Sequence, residues 1–182
     1  MRYPEGHKEA VRASIVERAS RALRRDGLAG VSVPALMKAA GLTHGGFYAH
    51  FENRDELVAE AVMAAANATG AAVLSEDVGG LDVTLARYLS KRHVENPEGG
   101  CVLAALGTEG RQKSGPVKTA FAEAARGFIR LLDKKVSKKS RPGHPSEDAL
   151  VLAAQLIGAV VLARLVDDES LVDRILDAAK RV

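Results

Sequence analysis

The chain is poor in the residues that usually build a dense aromatic core. Aromatics are 4% of its 182 residues, and tryptophan is absent. With four Phe and three Tyr, the core must be assembled from Ala, Leu and Val. Ala and Leu favour helix, and the β-branched, aromatic-rich runs of strands are scarce. The expected fold class is therefore all-α, with about nine helices. The single cysteine, Cys101, excludes an intramolecular disulfide framework and suits a reducing compartment. No apolar run follows a basic start, so no signal peptide is read, and a cytoplasmic location is expected. The most apolar stretch, Ala149 to Val166, is interrupted by Gln155 and Arg164 and preceded by Glu147 and Asp148. It is slightly short for a membrane span. Burial between subunits is the preferred reading, with no membrane partner. Metal-ligand spacing, a phosphate loop and a nucleophile elbow are also missing. No catalytic residue, metal or cofactor is assigned, and the chain is not expected to be an enzyme. A cysteine-dependent hydrolase built on Cys101 and His93 has a thin basis and would have to lose turnover in Cys101→Ala.

What remains is a mildly basic chain. Its formal net charge is +3, with 26 Lys/Arg against 23 Asp/Glu. From Met1 to Glu56 there are nine Lys/Arg and seven Asp/Glu; from Leu57 onward there are 17 and 16. The smaller N-terminal part holds most of the excess and three of the five His. That bias is compatible with nucleic acid without being diagnostic.

Helical spacing organises the chain. Val11, Ile15, Ala19, Ala22 and Leu23 share one face of a helix from about His7 to Arg25, which ends at Asp26-Gly27. Ser32 reads as an N-cap and Pro34 sits in the first turn of a helix from Val33 to about Ala40. Gly41 closes it. Thr43 caps a short helix, about His44 to His50, and a fourth starts at Asn53-Arg54-Asp55-Glu56 and runs to about Ala72. A loop from Leu74 to Gly80 precedes a helix from Leu81 to Val94. "ENPEGG" breaks the chain before a helix from Cys101 to Gln112. Gly115-Pro116 opens a long helix through Phe121, Phe128, Leu132 and Val136, followed by a loop from Lys138 to Pro145. Ser146 caps a helix to about Val166, and a last one spans Glu169 to Lys180.

The pair around Gly41-Leu42 has the spacing of a helix-turn-helix: about eight residues, a glycine-containing turn, then about seven. A short second helix can enter the major groove with its N-terminal residues against base edges. Gly45 and Gly46 cost roughly 1 kcal/mol each in helix propensity, and close approach of the backbone to DNA is one reason to carry them. Thr43, Tyr48 and His50 can reach phosphates, and His44 a base edge or a phosphate. Arg54 reads as a phosphate clamp, with Ser32 also near the backbone. Phe47 and Phe51, four apart, should pack inward.

The stretch "VSVPALMKAAGLTHGGFYAHFENRDELVAEAV" resembles the DNA-binding region of the TetR/AcrR transcriptional repressors. The resemblance rests on Ser32, Gly41-Leu42, Tyr48, Phe51, Arg54 and Leu57, and covers about residues 8 to 65. Gly46 and His44 depart from the usual small hydroxyl residue and Lys. The resemblance implies a DNA-binding domain over residues 1–56 and a helical ligand-binding and dimerisation domain over 57–182. It also implies a homodimeric, ligand-responsive repressor on double-stranded DNA with a near-palindromic operator. The interface would be formed by the helices at about 146–166 and 169–180, with an unknown small-molecule effector. A DNA-binding adaptor without a ligand is the alternative. Only Tyr88, Phe121 and Phe128 could line a pocket with rings, so a mostly aliphatic pocket is expected. "NPEGGCVLAALGTEG" is similar to a stretch in some of these regulators where a Gly-Cys pair opens a helix, and some such regulators sense electrophiles or oxidants. Cys101 is then either a sensor, favoured by its place at a helix start, or a small buried core residue.

Overall fold

The structure is a computed structural model and describes residues 6–75, 79–137 and 143–181. Among them are nine α-helices and two 3-10 turns. In chain order the α-helices are α1 His7–Asp26, α2 Val33–Ala39, α3 Arg54–Thr69, α4 Leu81–Tyr88, α5 Lys91–Glu95, α6 Val102–Arg111, α7 Gly115–Val136, α8 Glu147–Leu165 and α9 Glu169–Ala179. The predicted all-α class holds. Parts of the two predicted loops, residues 76–78 and 138–142, lie outside the described residues.

The starts of the helices follow local chemistry. The Ser32 hydroxyl accepts from the Ala35 amide at 3.4 Å, the Asn53 side chain from Glu56 at 3.0 Å, and Ser146 from Ala149 at 3.3 Å. Gly27 and Gly41, with φ of +81° and +72°, take left-handed conformations where α1 and α2 stop.

Three expectations are corrected. The segment from Leu81 to Val94 is two helices, because Ser90 leaves the helical conformation and its hydroxyl caps His93 at 3.3 Å. The helix through residue 72 ends as α-helix at Thr69 and continues as a π-helical turn, Gly70–Leu74, so Leu74 belongs to that turn rather than to a loop. The short helix after Thr43 is a 3-10 turn, His44–Ala49.

Two apolar clusters hold the chain together. The first gathers Ile15, Leu23, Met37, Phe47, Phe51, Leu57 and Val62, then continues through Val102, Leu106, Val117 and Phe121. The second contains Leu74, Tyr88, Cys101, Phe128, Leu132, Leu152 and Leu156. The core of the first three elements thus runs directly into α6 and α7. Helix α3 packs against both α1 and α7.

Two helical stretches, Arg54–Leu74 and Glu147–Leu165, are long and apolar enough to cross a membrane by length and composition. The first is wedged between α1 and α7. The second buries Leu152, Leu156 and Val160 completely, yet leaves Val151 at 63%, Leu162 at 55% and Leu165 at 78% exposed.

Candidate nucleic-acid interface

Phe47 and Phe51 anchor the short recognition turn. Both are 2% exposed, and their rings stack with centroids 5.3 Å apart. Thr43 fixes the start of the turn: its hydroxyl accepts from the Gly46 amide at 3.2 Å. With the apolar side pinned, the opposite side is left to solvent. Thr43, His44, Gly45 and Tyr48 are exposed, Tyr48 at 66%. The Tyr48 ring is held edge-on by Phe47 at 5.3 Å and approached by His44 at 6.2 Å.

The glycine pair has no internal explanation. Neither Gly45 nor Gly46 is among the residues with positive φ. A Cβ at Gly45 would meet nothing within 4 Å, and one at Gly46 would make ordinary contacts to Thr43 and Met37, at 3.6 and 3.8 Å. The fold has room for a side chain at both positions, so neither packing nor backbone conformation inside the chain requires glycine there.

His50 sits at the edge of this surface. Its carbonyl accepts from Arg12 Nε at 3.0 Å, and its buried Nδ1 has no hydrogen-bond partner. Burial, then the positive charges of Lys8, Arg12 and His7, hold the imidazole below its usual pKa. Arg12 lies over the Phe51 ring at 4.5 Å and pairs with Glu56 and Glu60. It therefore fastens α1 to the start of α3 beneath the recognition turn. No local pattern in the sequence marks this role of Arg12, since its partners lie 44 and 48 residues away.

Arg54 departs from the phosphate-clamp reading. Its Nε donates to the Val31 carbonyl at 3.2 Å, and its Nη2 donates to the Leu28 carbonyl. The guanidinium satisfies backbone acceptors of the loop entering α2, so it positions that helix against α3. The Ser32 hydroxyl is exposed but already accepts its capping bond, leaving its proton for another acceptor.

Cys101 lies elsewhere, as the N-cap of α6, and is 2% exposed. Its amide donates to His93 Nε2 at 2.9 Å, and His93 Nδ1 in turn donates to the Tyr88 carbonyl at 2.7 Å. That chain of bonds fixes the neutral tautomer, and burial, its largest influence, keeps the His93 pKa low. The buried Tyr88 hydroxyl has no hydrogen-bond partner among the described residues; burial first, then the neighbouring Cys101, drive its pKa well up. Two desolvated guanidinium groups flank the same point. Arg24 donates to the Gly100 carbonyl at 2.7 Å, and Arg164 donates to the His93 carbonyl at 2.9 Å. Cavities of about 640 and 610 Å³ both reach Cys101 and Thr69.

Helix α6 is tied at both ends to α1 and the turn that follows it. Arg24 of α1 holds Gly100 just before it, and Glu109 near its end accepts from the Leu28 amide at 2.9 Å. Among the described residues no group of three or more His, Cys, Asp or Glu is placed to hold a metal ion.

A three-element helix-turn-helix on a larger helical body defines a DNA-binding regulator. Residues 15–61 match the bacterial regulatory proteins of the tetR family, and residues 80–179 match the tetracyclin repressor-like C-terminal domain. The chain belongs to the TetR family of DNA-binding transcriptional regulators. Solved structures agree in fold. The reduced form of E. coli NemR is 20% identical with a TM-score of 0.75, over 95% of this chain and 96% of that one. FadR from Bacillus subtilis in complex with stearoyl-CoA is 17% identical, TM-score 0.59, over 93% and 97%. AibR in complex with isovaleryl coenzyme A and operator DNA is 19% identical, TM-score 0.64, over 93% and 96%. No curated protein matches the chain significantly. Regulators of this family are generally not enzymes.

Proposed function

We propose that the protein is a homodimeric, ligand-responsive repressor that places the His44–Ala49 turn of each subunit in a major groove of a near-palindromic operator. The observation that carries this reading is the recognition turn itself. Its aromatic side is locked into the core while Thr43, His44, Gly45 and Tyr48 stand in solvent, over two glycines the fold does not need. Thr43, His44, Gly45 and Gly46 face bases or the adjacent backbone; Ser32, Tyr48 and His50 contact phosphates. Arg54 acts from behind, by orienting α2. Residues 1–56 form the DNA-binding unit and residues 57–182 the effector and dimer unit, in the cytoplasm.

The uncovered stripe of α8 supports the dimer. Val151, Ala154, Gly158, Leu162 and Leu165 fall on one side of the helix at its 3.6-residue period, and a second copy would cover them together with Leu171 of α9. Ala153 and Ala159, on the other side of the helix, are buried against their own chain. Effector response is supported by the two cavities beside α6 and by the ties from α6 to α1 and Leu28. It is supported further by two structural neighbours, AibR in complex with isovaleryl coenzyme A and FadR in complex with stearoyl-CoA.

Cys101 carries a second, narrower reading as a thiol sensor. Both cavities reach it, and the neighbour NemR was solved in a form described as reduced. Alkylation that leaves DNA affinity unchanged would rule the sensor out.

The test of the main reading is selection of genomic DNA fragments by the purified protein at physiological salt. A sharp near-palindromic site supports it. Uniform enrichment, with the protein folded and dimeric, refutes unaided sequence reading and leaves the adaptor alternative.

A further inference from the structure

The cavity of about 640 Å³ has a distinct chemistry at each end. Its inner wall is apolar: Leu74 from the π-helical turn, Val102 and Leu103 from α6, Phe128 and Leu131 from α7. Its rim on α7 carries Glu123, Arg126 and Arg130. All three are exposed, and neither arginine forms an ion pair among the described residues. Two guanidinium groups against one carboxylate give the mouth a net positive charge. The second cavity, by contrast, is lined by no Leu or Phe side chain, and its Arg87 is already bonded to the Ala72 carbonyl at 3.1 Å.

Gly127 lies between the two rim arginines and lines the same cavity. It is mid-helix, where glycine costs about 1 kcal/mol relative to alanine. A Cβ there would meet nothing nearer than Arg130 Nη2, at 3.8 Å. The missing side chain therefore leaves open space at the mouth, without any packing need inside the chain.

We propose that this cavity binds an aliphatic chain ending in an anionic group, with the chain against Leu74, Phe128 and Leu131 and the head between Arg126 and Arg130. The inference rests on the ligand-responsive reading and names the chemical class of the ligand. An anionic head gains two fork-shaped donors suited to a carboxylate or a phosphate. A cationic head meets two like charges. The apolar tail supplies most of the affinity, and the exposed, screened arginines supply the selection.

The test is calorimetric titration of the full-length protein with dodecanoate, dodecanol and dodecyltrimethylammonium, each below its micelle concentration. Dodecyl phosphate serves as a second anion, to separate a carboxylate site from a phosphate site. We expect one anion per chain, about tenfold tighter than the alcohol, and no binding of the cation. Arg126→Gln with Arg130→Gln should remove the preference for the anion over the alcohol. Gly127→Leu should weaken the anion at least tenfold while the protein melts no lower than wild type. Equal binding of alcohol and anion, or full affinity in Gly127→Leu, overturns the proposal. The same samples are then added to the protein on its selected DNA fragment. If dodecanoate binds in the cavity without altering DNA occupancy, the cavity assignment stands and the ligand response falls. If DNA is selected but no probe binds, the cavity assignment alone falls.

Discussion

Replacing Arg24 by Met tests whether the tie between α1 and the start of α6 stabilises the fold. Arg24 is 8% exposed, and its guanidinium donates to Gly100 O, Ser20 O and Ser20 Oγ at 2.7, 3.0 and 3.2 Å. Of these, the bond to Gly100 spans 76 residues and joins two parts of the molecule. Met keeps most of the apolar stem and removes the donors. A hydrogen bond from a charged group contributes about 1.5–3 kcal/mol. Against it stands the cost of desolvating the guanidinium, the main cause of its lowered pKa. Without Arg24 the Gly100 carbonyl keeps only the Thr69 hydroxyl, at 3.4 Å. The net loss should be about 1–2 kcal/mol. For a chain of this size each kcal/mol moves the melting temperature about 2–4 °C, so a fall of about 2–8 °C is expected in thermal unfolding. Arg24→Lys, which keeps the charge but loses the fork, should fall between. A variant Arg24→Met melting at or above the wild-type temperature would show that desolvation outweighs the bond, and the tie could not be counted as stabilising.

At the DNA surface, Tyr48→Phe removes one phosphate donor and should weaken binding about fivefold on every sequence, about 1 kcal/mol. His44→Ala should instead change the selected sequence, read by repeating the fragment selection; the reverse pattern in the two variants would invert their roles. The lowered pKa of His50 leaves it largely neutral near pH 7 in the free protein, and a neighbouring phosphate favours its charged form. Binding then takes up a proton, so DNA affinity should rise as pH falls from about 7.5 towards 6, and His50→Gln should flatten that slope. The sign is opposite for folding. The unfolded chain, with His near 6.5, binds the proton first, so the stability of the free protein falls as pH drops through 6.5 towards the lowered folded value. Leu162→Asp, in the exposed stripe of α8, should yield a folded monomer by sedimentation, and an unchanged dimer would place the interface elsewhere.

The starts and stops of helices were legible because they are local events. Ser32, Thr43, Asn53 and Ser146 cap within three residues of themselves, and Gly27 and Gly41 stop helices by their own backbone freedom. Ser90 is just as local, yet it sits inside an otherwise continuous apolar period, and the period hid it. The 3-10 geometry of the recognition turn is a matter of pitch over six residues, which side-chain spacing does not resolve. The side chains whose partners the sequence did not show act at long range. Arg54 reaches back to Leu28 and Val31, Arg12 forward to Glu56 and Glu60, and Arg24 to Gly100. A cation at a fixed motif position reads equally as a phosphate clamp or as a backbone strap until the carbonyls around it are placed.

Those straps share a geometry that bears on how the two halves of the molecule move. Helix α3 has 16 residues, so it is a rod of about 24 Å. Its first residue, Arg54, grips the loop that enters α2, and its last turn opens into the wall of the larger cavity. Helix α6 has ten residues and forms the facing wall at Cys101, Val102 and Leu103. It is bonded to α1 before its first turn, through Gly100, and to the end of α1's following turn near its last, through Glu109. A ligand wedged between these walls must push on two rigid elements, each fastened to the recognition unit through named side chains. Tilting a 24 Å rod by about 5° about one end displaces the other by about 2 Å. Shifts of that size are enough to break a 3.2 Å bond such as Arg54 Nε to the Val31 carbonyl, at the far end of that rod. The proposed ligand response would therefore need no unfolding and no long relay of side chains, only the loss or survival of a few bonds at the ends of α3 and α6.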